Sequence, residues 1–252
     1  SMGNNVGANG GGVIRLNVSG DATVNGTISA NGGNYWYCTG AGGSLCLSAK
    51  TLSGSGIIQA DAGNTQGNAS QTQASSGGRV AVILTGAGET FDEFGDSFHA
   101  YAGLNASVTP AVEYGSPGTI YLETATDGAG KGRVLIRNLP DAKVGGHNKP
   151  MLDYPVLKRT PSPKEAKDAT FVLENVFDIN LVADAVMGDL YIKGTKPKIY
   201  LNGHTLKIRA DRHDIFDADE EARWAAQIIP GEDAEGNPGK IIWKQGLLLL
   251  VK

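Results

Sequence analysis

His99 and Tyr101 stand two residues apart in Phe98-His-Ala-Tyr-Ala-Gly103, the end of a glycine-closed unit. Alternate residues of an extended strand share a face, so the two side chains are expected to project together. An imidazole beside a phenol suits proton transfer. Eliminative cleavage of a polysaccharide needs a group that neutralises a uronate carboxylate, a base for the proton at C5, and an acid for the leaving oxygen. His99 fits neutraliser or base, and Tyr101 fits base or acid. Aligning the earlier unit ends, Ile28-Ser-Ala-Asn-Gly-Gly33 and Ile58-Gln-Ala-Asp-Ala-Gly63, puts Ser29 and Gln59 in the column of His99. The same alignment puts Asn31 and Asp61 in the column of Tyr101. Gln59 and Asp61 would then position or bind a ligand; the plain alternative is a solvated strand face.

Three further sets of residues carry possible chemistry. Tyr35, Trp36 and Tyr37 are consecutive aromatics in an inserted segment, and such rings either stack on sugar C–H faces or cap and pack an edge. Glu89, Asp92, Glu93 and Asp96 fall in a second insertion and could hold Ca²⁺ through oxygen ligands, although their spacing is not that of an EF-hand. An acidic solvated loop is the plain alternative. Cys38 and Cys46 lie close in sequence, with Cys46 on the outward parity of its strand and Cys38 in the preceding loop. A surface disulfide would suit an exported protein, and two free thiols are the alternative. His147, His204 and His213 have no evident partners in the sequence. Nucleophile elbow, P-loop, dinucleotide fingerprint and HExxH motifs do not occur, and no cofactor is expected.

The elements that must position these residues are short alternating strands between glycines. Residues 10–33 hold Ile14, Leu16 and Val18 in alternation with Arg15 and Asn17. Residues 42–63 repeat the arrangement with Leu45, Leu47 and Ala49, and a third copy holds Val80, Val82 and Leu84. A less regular fourth copy begins at Ile120 and Leu122. Each set marks one buried face per strand. Before Glu89 the charged side chains are Arg15, Asp21, Lys50, Asp61 and Arg79, the remaining polar residues being uncharged. Stacked copies about 4.8 Å apart explain this, because like charges repel there while Asn, Ser and Thr form ladders. Insertions at 34–41, 64–76 and 104–117 each follow a closing Gly, so they should leave from one side of the stack. A further insertion spans 86–97.

Composition agrees. Gly is 36 of 252 residues without a collagen triplet, and the net charge is −4, which argues against a nucleic-acid partner. No apolar run approaches the roughly 20 residues of a membrane helix. Ser1-Met2 followed at once by the pattern is expected of a piece of a longer polypeptide, in which case a signal peptide or anchor would lie elsewhere. Residues 139–169 contain five prolines (Pro140, Pro150, Pro155, Pro161 and Pro163) and should form an extended excursion with little regular structure. Strand patterning resumes over 170–174, 179–183, 190–193, 198–202 and 205–209. Residues 217–228 read as a helix with Trp224, Ala225 and Ile228 inward, and strands at 240–243 and 247–251 finish the chain.

The Gly-Gly-x-Ile/Leu-x-Leu … Leu-x-Gly-x-Gly-x-Ile-x-Ala-x-Gly pattern, clearest at 42–63, resembles right-handed parallel β-helix domains of large bacterial surface and secreted proteins. Tyr200-Leu-Asn-Gly-His-Thr-Leu206 resembles a motif that recurs in such β-solenoids. The likeness covers about residues 10–138 and 170–210. It implies an all-β parallel β-helix with inserted loops: glycine-rich turns over 1–138, the excursion over 139–169, and further turns with the helix and closing strands over 170–252. Members range from adhesins and stalks to polysaccharide lyases and glycosidases, so fold alone does not choose among them. The expectation is a secreted or cell-surface module that binds a polysaccharide or surface glycan through stacked loops. The alternative is a polysaccharide lyase or other polysaccharide-degrading enzyme acting on the outer strand face around His99 and Tyr101, and a third class is a mechanical stalk with no ligand.

Overall fold

The structure, a computed structural model, describes residues 7–36, 38–65, 74–92, 94, 97–105, 112–113, 115–139, 143–144, 151–154, 166–176, 178–194, 197–213, 215, 228–244 and 248–249. These residues are all-β, with a single 3-10 turn at Ala166–Asp168. The chain divides into unit one, Ser1–Thr126 with Arg137–Pro150, and unit two, Asp127–Ile136 with Met151–Lys252.

In unit one the sequence copies lie side by side and parallel. Val13–Asn17, Ser44–Ala49, Arg79–Leu84 and Thr119–Thr124 pair in that order. Their register aligns Ile14, Leu45, Val80 and Ile120 in one row, and Leu16, Leu47, Val82 and Leu122 in the next. Period-two alternation turns both rows to the same face, and from the second copy on they are buried. Asp21–Thr23 pairs with Thr51–Ser53 in a second sheet. Thr27–Ser29, Ile57–Gln59 and Phe98–His99 form a third, also parallel. Outside, small polar side chains bond from copy to copy: the Thr23 and Ser53 hydroxyls lie 3.1 Å apart, and Gln59 Nε2 donates to Ser29 Oγ at 3.3 Å. The scarcity of charge thus has a structural counterpart in neutral ladders.

The paired glycines have a particular task. The N–H groups of Gly43, Gly78 and Gly118 donate to the carbonyls of Ala30, Ala60 and Ala100, each at 2.7 Å. Backbone meets backbone there with no side chain between. A Cβ on Gly78 would stand 2.1 Å from the Gly43 carbonyl oxygen, which only a residue lacking Cβ avoids.

In unit two, the strand Arg133–Arg137, all but its last residue, lies beside Thr170–Glu174, which pairs parallel with Asp189–Lys193. Met151–Tyr154, Asp178–Leu181, Lys198–Tyr200 and Ile228–Ile229 form a second parallel set. Ala185–Met187, Thr205–Ile208 and Lys240–Trp243 form a third, to which Leu248–Leu249 adds antiparallel. The step between neighbouring copies is 20 residues at Asp178 and Lys198, against 30 and 40 across Asp61 in unit one, where the insertions lie. Asn202 and Gly203, with φ of 49° and 79°, turn the chain so that the strands on either side enter different sheets.

Two further expectations meet the structure in part. Residues 139–169 do contain strands, Lys143–Val144 and Met151–Tyr154, because a four-residue strand fits between Pro150 and Pro155 without placing proline in a ladder. The expected helix at 217–228 lies outside the described residues except for Ile228, which is in a strand and pairs with Ile199.

Candidate functional site

The closing strands of unit one build a grid. Ser29, Gln59 and His99 are register partners, as their common offset requires. In the next outward column Asn31 Oδ1 accepts the Asp61 N–H at 2.7 Å, and Asp61 Oδ1 accepts the Tyr101 N–H at 2.7 Å. A third column follows: Asn34 Oδ1 accepts the Asn64 N–H at 2.7 Å, and Asn64 Oδ1 accepts the Leu104 N–H at 3.0 Å. Each of these side chains substitutes for a carbonyl in bonding the copy above, which fixes its rotamer.

Asn31, Asn34, Asp61, Asn64, Tyr101, Leu104 and Leu139 line an open groove of about 370 Å³. His99 flanks it, its ring centroid 4.8 Å from that of Tyr101 at an interplanar angle of 33°. Burial pushes the Asp61 carboxyl above its ordinary value, against the lowering effects of the Tyr101 N–H and the His99 imidazole. The folded state therefore binds more protons than the unfolded one between the ordinary carboxylate pKa and the raised value. Through that window this group's contribution to stability grows as pH falls and is lost as pH rises. Asp61→Asn keeps the acceptor for Tyr101 and removes the buried charge. It should raise the melting temperature at pH 7, with the gain shrinking toward pH 4 in thermal melts. A variant less stable than the parent at pH 7 would contradict the account.

The stems of the insertions are stacked. Tyr35 and Thr65, and then Thr65 and Asn105, form parallel bridges, and on the returning limbs Ser75 Oγ donates to the Thr39 carbonyl at 2.5 Å. Trp36 exposes 58% of its surface and Tyr35 is half-buried; Tyr37 lies outside the described residues. The 86–97 insertion is anchored by apolar groups: Phe91 and Phe94 are buried with ring centroids 5.8 and 5.1 Å from that of Phe98. Glu89 is half-buried and Asp92 exposed, whereas Glu93 and Asp96 lie outside the described residues. Among the described residues no three His, Cys, Asp or Glu side chains gather as a metal site, and no helix is long and apolar enough to cross a membrane.

The disulfide expectation is corrected: Cys38 and Cys46 are both free. Cys46 sits mid-strand between Arg15 and Ala81, while the Cys38 carbonyl accepts the Ala8 N–H at 3.1 Å. Between them Gly42, Gly43 and Ser44 donate to Ser76, Ala30 and Gly12. The backbone between the two cysteines is thus bonded to other copies, and no S–S bond joins them.

Sequence reasoning missed the third column, because Asn34 and Asn64 open insertions; their equal offset after Gly33 and Gly63 was the available signal. It also missed a cluster in unit two. His213 Nε2 lies 2.6 Å from Asp189 Oδ1, and its ring stacks on Tyr191 at 4.7 Å and meets Trp243 edge-on at 5.3 Å. The shared face of Asp189 and Tyr191 was readable from their spacing of two; the arrival of His213 was not. His204 Nδ1 lies 3.8 Å from Asp184. Comparison with known proteins returns no matching family model, no matching curated protein and no matching solved structure.

Proposed function

We propose that the chain is a non-catalytic module of a secreted or cell-surface bacterial protein. In this reading its parallel strands wind as a right-handed β-helix, and the groove of unit one binds a polysaccharide or cell-surface glycan. The observation that carries the reading is the groove itself, where amide and carboxylate groups are held in columns by bonds to the backbone, with the Tyr101 ring beside them. Side chains already fixed before a ligand arrives lose little rotamer entropy on binding. Aromatic rings suit the C–H faces of sugars: Tyr101 lines the groove, and the exposed Trp36 follows the lining residue Asn34 by two positions in the chain.

A glycan array with the whole chain tests this. The parent should bind at least one class of glycan, and Tyr101→Ala and Trp36→Ala should each weaken that binding by about tenfold or more. Failure of the folded parent to bind any glycan would remove the reading.

One observation favours a polysaccharide lyase as a second reading: the rings of His99 and Tyr101 are in contact beside Asp61. It requires a rise in unsaturated-uronate absorbance with acidic polysaccharides, abolished by His99→Ala or Tyr101→Phe. No rise across a broad panel discards it.

A further inference from the structure

We propose that the groove of unit one selects a neutral, hydroxyl-rich glycan over a polyanionic one, and that Asp61 makes the choice. This rests on the glycan-binding reading above and names the ligand class.

The selectivity follows from which ends of the ladder side chains are used. Asn31, Asn34 and Asn64 each spend Oδ1 on the N–H of the next copy. An amide whose oxygen points along the stack turns its NH₂ elsewhere, and these three nitrogens have no hydrogen-bond partner within the described residues. The groove therefore offers amide donors at three grid positions. Asp61 occupies a fourth. It makes the same Oδ1 bond, to the Tyr101 N–H at 2.7 Å, but its free end is an acceptor and it carries the one formal charge among the described lining residues.

Amide donors alone would accept hydroxyl, carboxylate or sulfate oxygens without distinction. An acceptor carboxylate set among them does not. A hydroxyl donates to Asp61 while its neighbour on the same sugar ring accepts from Asn31 or Asn64. The carboxylate of a uronate or the sulfate group of a sulfate ester can only accept, and its charge is repelled by Asp61 across a half-buried groove, where screening is weaker than in water. Tyr101 supplies an apolar face beside these polar contacts, which suits a sugar ring.

The test compares the whole chain and its Asp61→Asn variant for binding to a soluble neutral hexose homopolymer and to a polyuronate, by titration calorimetry at pH 7. The parent should bind the neutral polymer at least about tenfold more tightly than the polyuronate. Asp61→Asn completes the amide column, and its melting temperature reports that the grid is intact. The variant should lose about tenfold for the neutral polymer and gain affinity for the polyuronate. A parent that prefers the polyuronate, or a variant with an unchanged preference ratio, overturns the inference while leaving glycan binding standing. Binding of neither polymer, together with an empty glycan array, overturns both.

Discussion

Gly78→Ala should destabilise the chain by at least about 3 kcal/mol, while Gly12→Ala, the same change in the same column, should cost almost nothing. The contrast is geometric. A Cβ at position 78 would lie 2.1 Å from the Gly43 oxygen, 2.6 Å from the Gly42 carbonyl carbon and 2.8 Å from the Gly43 nitrogen. All three are backbone atoms, so no rotamer change relieves the clash; two strands must part, and the Gly78 N–H bond to Ala60 at 2.7 Å is lost with them. At Gly12 an added Cβ meets nothing within 4 Å. Urea denaturation of the two variants beside the parent measures the difference. Equal midpoints would show that the close approach carries no energetic weight.

Phe98→Ala should cost about 3–5 kcal/mol, the range for a fully buried aromatic. Phe98 has no exposed surface, stands in register with Ile58, and receives Phe91 and Phe94 on its ring. The substitution opens a cavity and also releases the anchor of the 86–97 insertion. Phe98→Leu, which fills most of the space, should cost about 1–2 kcal/mol. A loss below about 1 kcal/mol for the alanine variant would mean that the insertion collapses into the cavity without penalty. Protease cleavage within 86–97, followed alongside the denaturation midpoint, separates release of the insertion from unfolding of the unit.

Much of unit one is legible in its amino acids because its rules are local. Alternation sends Ile14, Leu45, Val80 and Ile120 to one side of their strands, and equal offsets from a closing glycine bring Ser29 to Gln59 and Gln59 to His99. Neither inference needs knowledge of distant chain. The remainder depends on distant chain. His213 reaches Asp189 across 24 residues with no periodic relation between them. Cys38 and Cys46 are near in sequence, but the backbone between them is bonded to other copies, and nearness along the chain did not become a bond. Met151–Tyr154 is too short, between two prolines, for alternation to announce a strand. Asn34 and Asn64 were hidden by their own type, since asparagine after glycine reads as turn chemistry until its Oδ1 is seen capping the next copy.

The stacked stems of the insertions have a consequence for how such a chain changes over generations. Tyr35, Thr65 and Asn105 keep their bridges, and Thr39 and Ser75 their bonds, although the segments between those limbs differ in length from copy to copy. Whatever is spliced in between a departing and a returning limb leaves the register of the sheets untouched. New recognition surfaces can therefore be grafted one copy at a time, on a frame that does not have to be reinvented.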